Sequence, residues 1–271
     1  MDKTKVVVIG AGNVASAFVS YISAQSASLE ICCIYSRRLE SIKFMEEQLG
    51  LSLEHVDDME KIPSDADIYL FCITDDALEH VLRQMPMTTG VWIHTSGCNS
   101  IDIMKPYHND VGVLYPLQTI SKKNIPASDS VPIFLESSSE CSKNEMEKFA
   151  RILFRDINYA DSCQRKALHL AAVFACNFTN HMYAISDDII NYFGLPQGIL
   201  GNIIRYTASR IEADKAANLQ TGPAFREDSN TISIHRELMK NANPNIIGIY
   251  DTITKSIIDM KKNKWSNYFK K

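Results

Sequence analysis

No C-x-x-C pair occurs among the seven cysteines, and no H-E-x-x-H among the seven histidines. The first absence leaves no sequence basis for a disulfide framework or a zinc ribbon. The second leaves no helical metal motif, so no metal is expected. Reduced, mostly buried thiols in a cytoplasmic protein are the expectation. An excess of positive charge is also missing. With 28 Lys and Arg against 32 Asp and Glu, the net charge is −4, which offers no electrostatic case for nucleic acid or a membrane surface. No apolar run approaches spanning length, and no signal peptide is expected because the first strand begins almost at once. No repeat of tens of residues is visible. The lysines from Lys261 and Lys262 to Lys270 and Lys271 read as a solvated helix end, where they complement the helix dipole. The remainder is ordinary for a soluble globular protein: 271 residues, 45% hydrophobic and 22% charged. That length suffices for two domains.

Against only 11 glycines in the chain, the pair at Gly10 and Gly12 stands out. Val6, Val7, Val8 and Ile9 before them read as a strand buried on both faces of a parallel sheet. From Asn13 the pattern turns helical, with Val14, Phe18, Tyr21, Ile22 and Gln25 on one face. Strand, glycine turn and helix N-terminus form a site for a pyrophosphate, because backbone N–H groups and the helix dipole both favour an anion. Gly10-x-Gly12-x-x-Ala15 fits the dinucleotide fingerprint, with Asn13 inside it and a small third position for close helix–strand packing.

A second strand over residues 30–35 leads into Ser36, Arg37 and Arg38 and then a helix. An acidic residue at that strand end would grip the ribose hydroxyls of NAD, and there is none. Ser36 and two arginines suit a 2′-phosphate, which points to NADP. Cations are unfavourable at a helix N-terminus, which argues against mere decoration. The next strand ends in Thr74, Asp75 and Asp76 at a position where open sheets hold ligands, although helix capping is an ordinary role for such aspartates. Strands over 91–93 and 111–114 run into His94-Thr95-Ser96-Gly97 and Tyr115-Pro116-Leu117-Gln118-Thr119. Two polar clusters at matching strand ends suggest residues converging on the nicotinamide end of a cofactor.

From Gln164 onward helical periodicity dominates. A long helix is expected over 164–193, closed by Gly194-Leu195-Pro196, with further helices near 199–217, 231–240 and 246–260. At a hundred degrees per residue, Lys166, Val173, Asn177, Asn180 and Ala184 share a face with His169 at its margin. Such a polar strip needs either partners within the protein or a ligand. The non-helical stretch 219–228 suits either substrate contacts or a connector, and Asp228 is positioned to cap the helix after it.

Taken in order, Gly10–Ala15, Asp75-Asp76, His94–Gly97 and Pro116–Thr119 resemble one family. His169, Asn177-Phe178, Thr221-Gly222-Pro223, Arg226 and Asp228 extend the resemblance over nearly the whole chain. The family comprises Rossmann-like NADP oxidoreductases whose C-terminal helical part was catalogued as a domain of unknown function. Its layout is similar to pyrroline-5-carboxylate reductase, prephenate dehydrogenase and the hydroxyisobutyrate dehydrogenase group. Two positions depart from it: Tyr115 stands where the family commonly has His, and Glu227 where it commonly has Gly. In the hydroxyacid dehydrogenases a lysine early in this helix, followed three residues later by asparagine, serves catalysis. Lys166 and His169 have that spacing, with His replacing Asn.

The expected architecture is α/β, with a doubly wound Rossmann sheet over 1–161 binding NADP and an all-α domain over 162–271 for substrate and homodimerisation. The expected function is hydride transfer to or from a small carbonyl, imine or hydroxyacid at an interdomain cleft. His94, Lys166 or His169 would donate the proton, Asn177 would orient substrate, and Arg226 would neutralise a substrate carboxylate. Ser96, Tyr115 and Gln118 would contact substrate. The principal rival is a sensor or regulatory protein that binds NADP without turnover. A methyltransferase is a weaker rival, since it would want an acid after the second strand.

Overall fold

The computed structural model describes residues 2–262. Its first unit is built on an eight-stranded sheet of order β3-β2-β1-β4-β5-β6-β7-β8. The strands are β1 Thr4–Ile9, β2 Leu29–Tyr35, β3 His55–Val56, β4 Ile68–Phe71, β5 Val91–His94, β6 Val111–Pro116, β7 Ile133–Ser137 and β8 Ile157–Tyr159. Every pairing is parallel except β6 with β7. The order reverses beside β1, between β2 and β4, which is the switch point where such sheets bind ligands at their carboxyl ends.

The apolar run of β1 is explained by two cores. Val6 and Val8 pack into one cluster with Phe18 and Ile22 of α1 (Asn13–Ala24), while Val7 and Ile9 pack into the other with Tyr69, Phe71 and Trp92. All four are fully buried, so alternation vanishes because both faces are covered. The helices α2 (Leu39–Leu49), α3 (Asp75–Leu82) and α4 (Glu140–Leu153) follow β2, β4 and β7.

Packing divides the chain after Phe178, not at the expected boundary near Asp161. Helix α5 (Ser162–Ala172) stays with the sheet because Arg165, fully buried, is bonded into it. The long helix expected over 164–193 is also interrupted. Val173–Phe178 forms a π-helical turn before α6 (Thr179–Tyr192). A π turn holds more than 3.6 residues per turn, so the strip from Lys166 through Asn177 to Ala184 does not keep one face.

The second unit, from Thr179 onward, contains α6, α7 (Gly201–Arg210), α8 (Pro223–Arg226), α9 (Ser229–Leu238) and α10 (Pro244–Lys261). Asp228 caps α9 as expected, accepting from Thr231 N at 3.1 Å and Thr231 Oγ1 at 2.8 Å. Glu227 is left-handed at φ 57°, which rationalises glycine as the family's common choice there. Its carboxylate pairs with Lys261 and Lys262 at 3.2 and 3.1 Å. Lys270 and Lys271 lie outside the described residues. No described helix is long and apolar enough to cross a membrane.

Candidate functional site

A cavity of about 640 Å³ runs along the carboxyl ends of β1, β2, β4, β5 and β6. One end is the Gly10–Asn13 turn. Gly10 has φ 117°, and a Cβ there would lie 2.4 Å from the Cys72 carbonyl oxygen, so both its conformation and its packing require glycine. At Gly12 a Cβ would meet only that oxygen, at 3.9 Å, so internal packing leaves room there. The bare backbone instead faces the cavity. Helix α1 begins at Gly12 with no side-chain cap and no acidic residue in its first turn, leaving its N–H donors and dipole uncompensated. This end fits an anionic group. Ala15 is fully buried and does not line the cavity; it supplies the close helix–strand packing its position demands.

Ser36, Arg37 and Arg38 line the cavity where β2 ends. Ser36 Oγ accepts from Arg38 N at 3.2 Å, fixing a turn that presents both exposed guanidinium groups. Among the described residues neither arginine has an ion-pair partner, and Asp75 is the one carboxylate in the lining. Thr74, exposed, is the N-cap residue of α3, which places Asp75 and Asp76 in the first helical turn. Capping by either aspartate is therefore corrected: they favour the dipole without capping.

At the other end Ser96, Gly97, Tyr115, Gln118 and His169 line the cavity. Tyr115 Oη and His169 Nδ1 are hydrogen-bonded at 3.1 Å, with their rings edge to face. Burial raises the Tyr115 pKa, Cys98 and Asp75 add to the rise, and Arg165 opposes it. The phenol therefore stays protonated. Gly97 makes room for the pair, since a Cβ there would lie 2.7 Å from His169 Nδ1 and 3.0 Å from the Tyr115 ring. Ser96 Oγ accepts from Cys98 N and Asn99 N at 3.1 and 2.8 Å, leaving its hydroxyl proton to offer a ligand. Gln118 is exposed, with Oε1 accepting from Thr119 N at 2.9 Å.

Other candidate residues lie elsewhere. His94 is 1% exposed and does not line the cavity. Its Nδ1 accepts from Ser96 N at 3.1 Å, and Nε2 has no partner among the described residues. Burial, reinforced by the Arg165 charge, pushes its pKa down to about 3. Sealed off from the cavity, the imidazole cannot reach a substrate bound there, so the expectation that His94 donates the proton is corrected: His94 braces the turn after β5. Lys166 and Asn177 are exposed on α5 and the π turn, outside the cavity lining. Arg226 is exposed on α8 in the second unit. No group of three or more potential metal ligands occurs among the described residues.

Two residues escape the sequence reading. Arg165 binds Glu136 of β7, donates from Nε to Ser96 O at 3.1 Å, and reaches Asn99 O at 2.5 Å. It thereby clamps the turn carrying Gly97. Its partners lie far away in sequence, and no local pattern marks it. Lys122 lines the cavity from the connection between β6 and β7.

The chain matches two family models. Residues 4–88 match an oxidoreductase family with an NAD-binding Rossmann fold, and residues 131–257 match the domain of unknown function DUF2520. No curated protein matches. Among solved structures, a Bacteroides fragilis protein described as a "putative NADP oxidoreductase" is 30% identical. It covers 95% of this chain and 98% of its own, with a TM-score of 0.85. A Thermotoga maritima protein is 21% identical over 96% and 99% of the two chains, with a TM-score of 0.66. A reductive aminase from Aspergillus terreus, in complex with NADPH and ethyl levulinate, shares the fold at 11% identity. Its coverage is 94% of each chain and its TM-score 0.70. From the identity and near-complete mutual coverage of the Bacteroides protein, together with both family matches, the chain belongs to the oxidoreductase-like family that joins an NAD-binding Rossmann domain to a DUF2520 C-terminal domain.

Proposed function

We propose that this protein is an NADP-dependent oxidoreductase acting on a small carbonyl, imine or hydroxyacid. The observation that carries this reading is the cavity itself. It joins an uncapped helix N-terminus to two unpaired arginines, lacks a carboxylate at the end of β2, and ends on a hydrogen-bonded Tyr115–His169 pair. Gly10, Gly12 and Asn13 hold the pyrophosphate on this reading, with Thr74 and Asp75 beside it. Ser36, Arg37 and Arg38 take the 2′-phosphate. The bound dinucleotide supplies or accepts hydride. What the chain must add is a proton at the substrate heteroatom, and Tyr115 and His169 are the residues placed to hold one. The tyrosine hydroxyl donates to the substrate, His169 Nδ1–H donates to the tyrosine oxygen and restores its proton, and the half-buried imidazole takes a replacement proton from water at Nε2.

The chain also forms a homodimer through the exposed apolar side chains of its second unit. All seven cysteines are free, as a reducing cytoplasm would keep them, but four of them, Cys98, Cys141, Cys163 and Cys176, are exposed, which corrects the expectation of mostly buried thiols. Titration with NADPH and NADH tests the cofactor. NADPH should bind more tightly, and a combined Arg37→Ala/Arg38→Ala variant should lose about ten- to a hundredfold for NADPH only. Equal affinity for the two cofactors before mutation would sink the NADP assignment. A screen of ketoacids, imines and aldehydes with NADPH tests turnover; silence across it, with tight cofactor binding intact, would favour a sensor.

A further inference from the structure

The connection from β6 to β7 is a built strap. It turns tightly at Ser121 and Asn124, which form an isolated antiparallel bridge, with Asn124 N donating to Ser121 O at 3.0 Å. It is fastened to α1 at two points. Lys122 N donates to Asn13 Oδ1 at 3.2 Å, and Tyr21 Oη donates to Pro126 O at 2.8 Å. Helix α1 is the element whose N-terminus opens on the cavity. Ile120 and Lys122 of the strap line that same cavity.

The Lys122 side chain has no ion-pair partner among the described residues. Its ammonium rests over the Phe44 ring of α2, 5.4 Å from the centroid. Partial burial lowers its pKa, so the charge is incompletely solvated where it stands. Arg38 is the N-cap residue of α2, and Asn13 is the first residue of α1. Lys122 is thus tied to the start of one helix and packed on the other, the two helices whose starts carry the other anion-binding groups. Its backbone is already fixed, and only side-chain torsions must change to bring Nζ to a ligand, which keeps the ordering cost of binding small.

We propose that Lys122 is a third cationic ligand for the phosphate groups of a dinucleotide, added to Arg37 and Arg38 by the strap. The inference rests on the cofactor reading above. Three unpaired cations against one carboxylate in the lining leave a net positive cavity that a phosphorylated dinucleotide neutralises.

Calorimetric titration of the full chain with NADP⁺ and NAD⁺ tests it. Lys122→Met keeps the apolar stem over Phe44 and removes the charge. Lys123→Met, at an exposed neighbour in the same strap, is the control. Lys122→Met should weaken NADP⁺ about tenfold. A loss confined to NADP⁺ places Nζ on the ribose phosphate, and equal losses for both dinucleotides place it on the pyrophosphate. NADP⁺ binding within about twofold of the unaltered chain, or an equal loss in the Lys123→Met control, overturns the inference while the cofactor reading stands. An unaltered chain that binds neither dinucleotide overturns both.

Discussion

At the scale of single residues, burial decides which titratable groups can do chemistry. His94 and His169 look equivalent as letters. One is sealed beneath the turn after β5 and the other lies on the cavity wall. Sealing has a measurable consequence. The unfolded chain protonates His94 near its ordinary value of about 6.5, whereas the native imidazole resists until about pH 3. Between those values unfolding takes up one proton, so stability falls as pH drops. The limiting slope from this group is about 1.4 kcal/mol per pH unit. Denaturant unfolding of His94→Gln should show a flatter decline between pH 6.5 and 4 than the unaltered chain. Identical slopes would mean that the imidazole charges in the folded protein.

Between elements, the site depends on how the turn after β5 meets α5. Arg165 carries a fully buried guanidinium, and removing one partner of such a pair typically costs about 3–5 kcal/mol because the other is left uncompensated. Its several bonds hold Gly97 against the Tyr115–His169 pair. Gly97→Ala places a methyl 2.7 Å from His169 Nδ1, closer than contact allows, and the imidazole must leave Tyr115. Nitrogen-15 spectra of the histidines should then show His169 losing the Nδ1–H tautomer. An unaltered His169 signal would show that the turn yields instead.

For the whole molecule, the second unit poses a question of partners. Among its described residues Ala224 alone is buried, while Ile189, Tyr192, Phe193, Ile203, Tyr206 and Leu238 are at least two-fifths exposed. An apolar hollow of about 610 Å³ is lined by several of them. Covering these side chains on two copies at once removes apolar surface from water, the contribution that opposes the cost of association. Sedimentation equilibrium should give twice the chain mass at micromolar concentration, and Tyr192→Glu/Ile203→Glu should shift it to monomer. A monomer from the unaltered chain would overturn the homodimer.

The sequence by itself determined the Rossmann half. Val6 to Ile9, Gly10 and Gly12, and the helical stripe after Asn13 are local signals whose physics needs nothing distant, and so is the missing acid after Tyr35. The Asp228 cap was legible for the same reason. Tertiary structure alone decided which polar residues face the cavity. Lys166, His169 and Asn177 lie near one another in helical period on paper, but the π turn displaces Asn177, and within α5 only His169 lines the cavity while Lys166 is exposed. Arg165 and Lys122 act through partners tens of residues away or more, at separations that periodicity cannot see. Burial and proximity belong to the packed chain. A sequence records which side chains are available, and packing sets which of them lose water, meet a partner or reach the ligand.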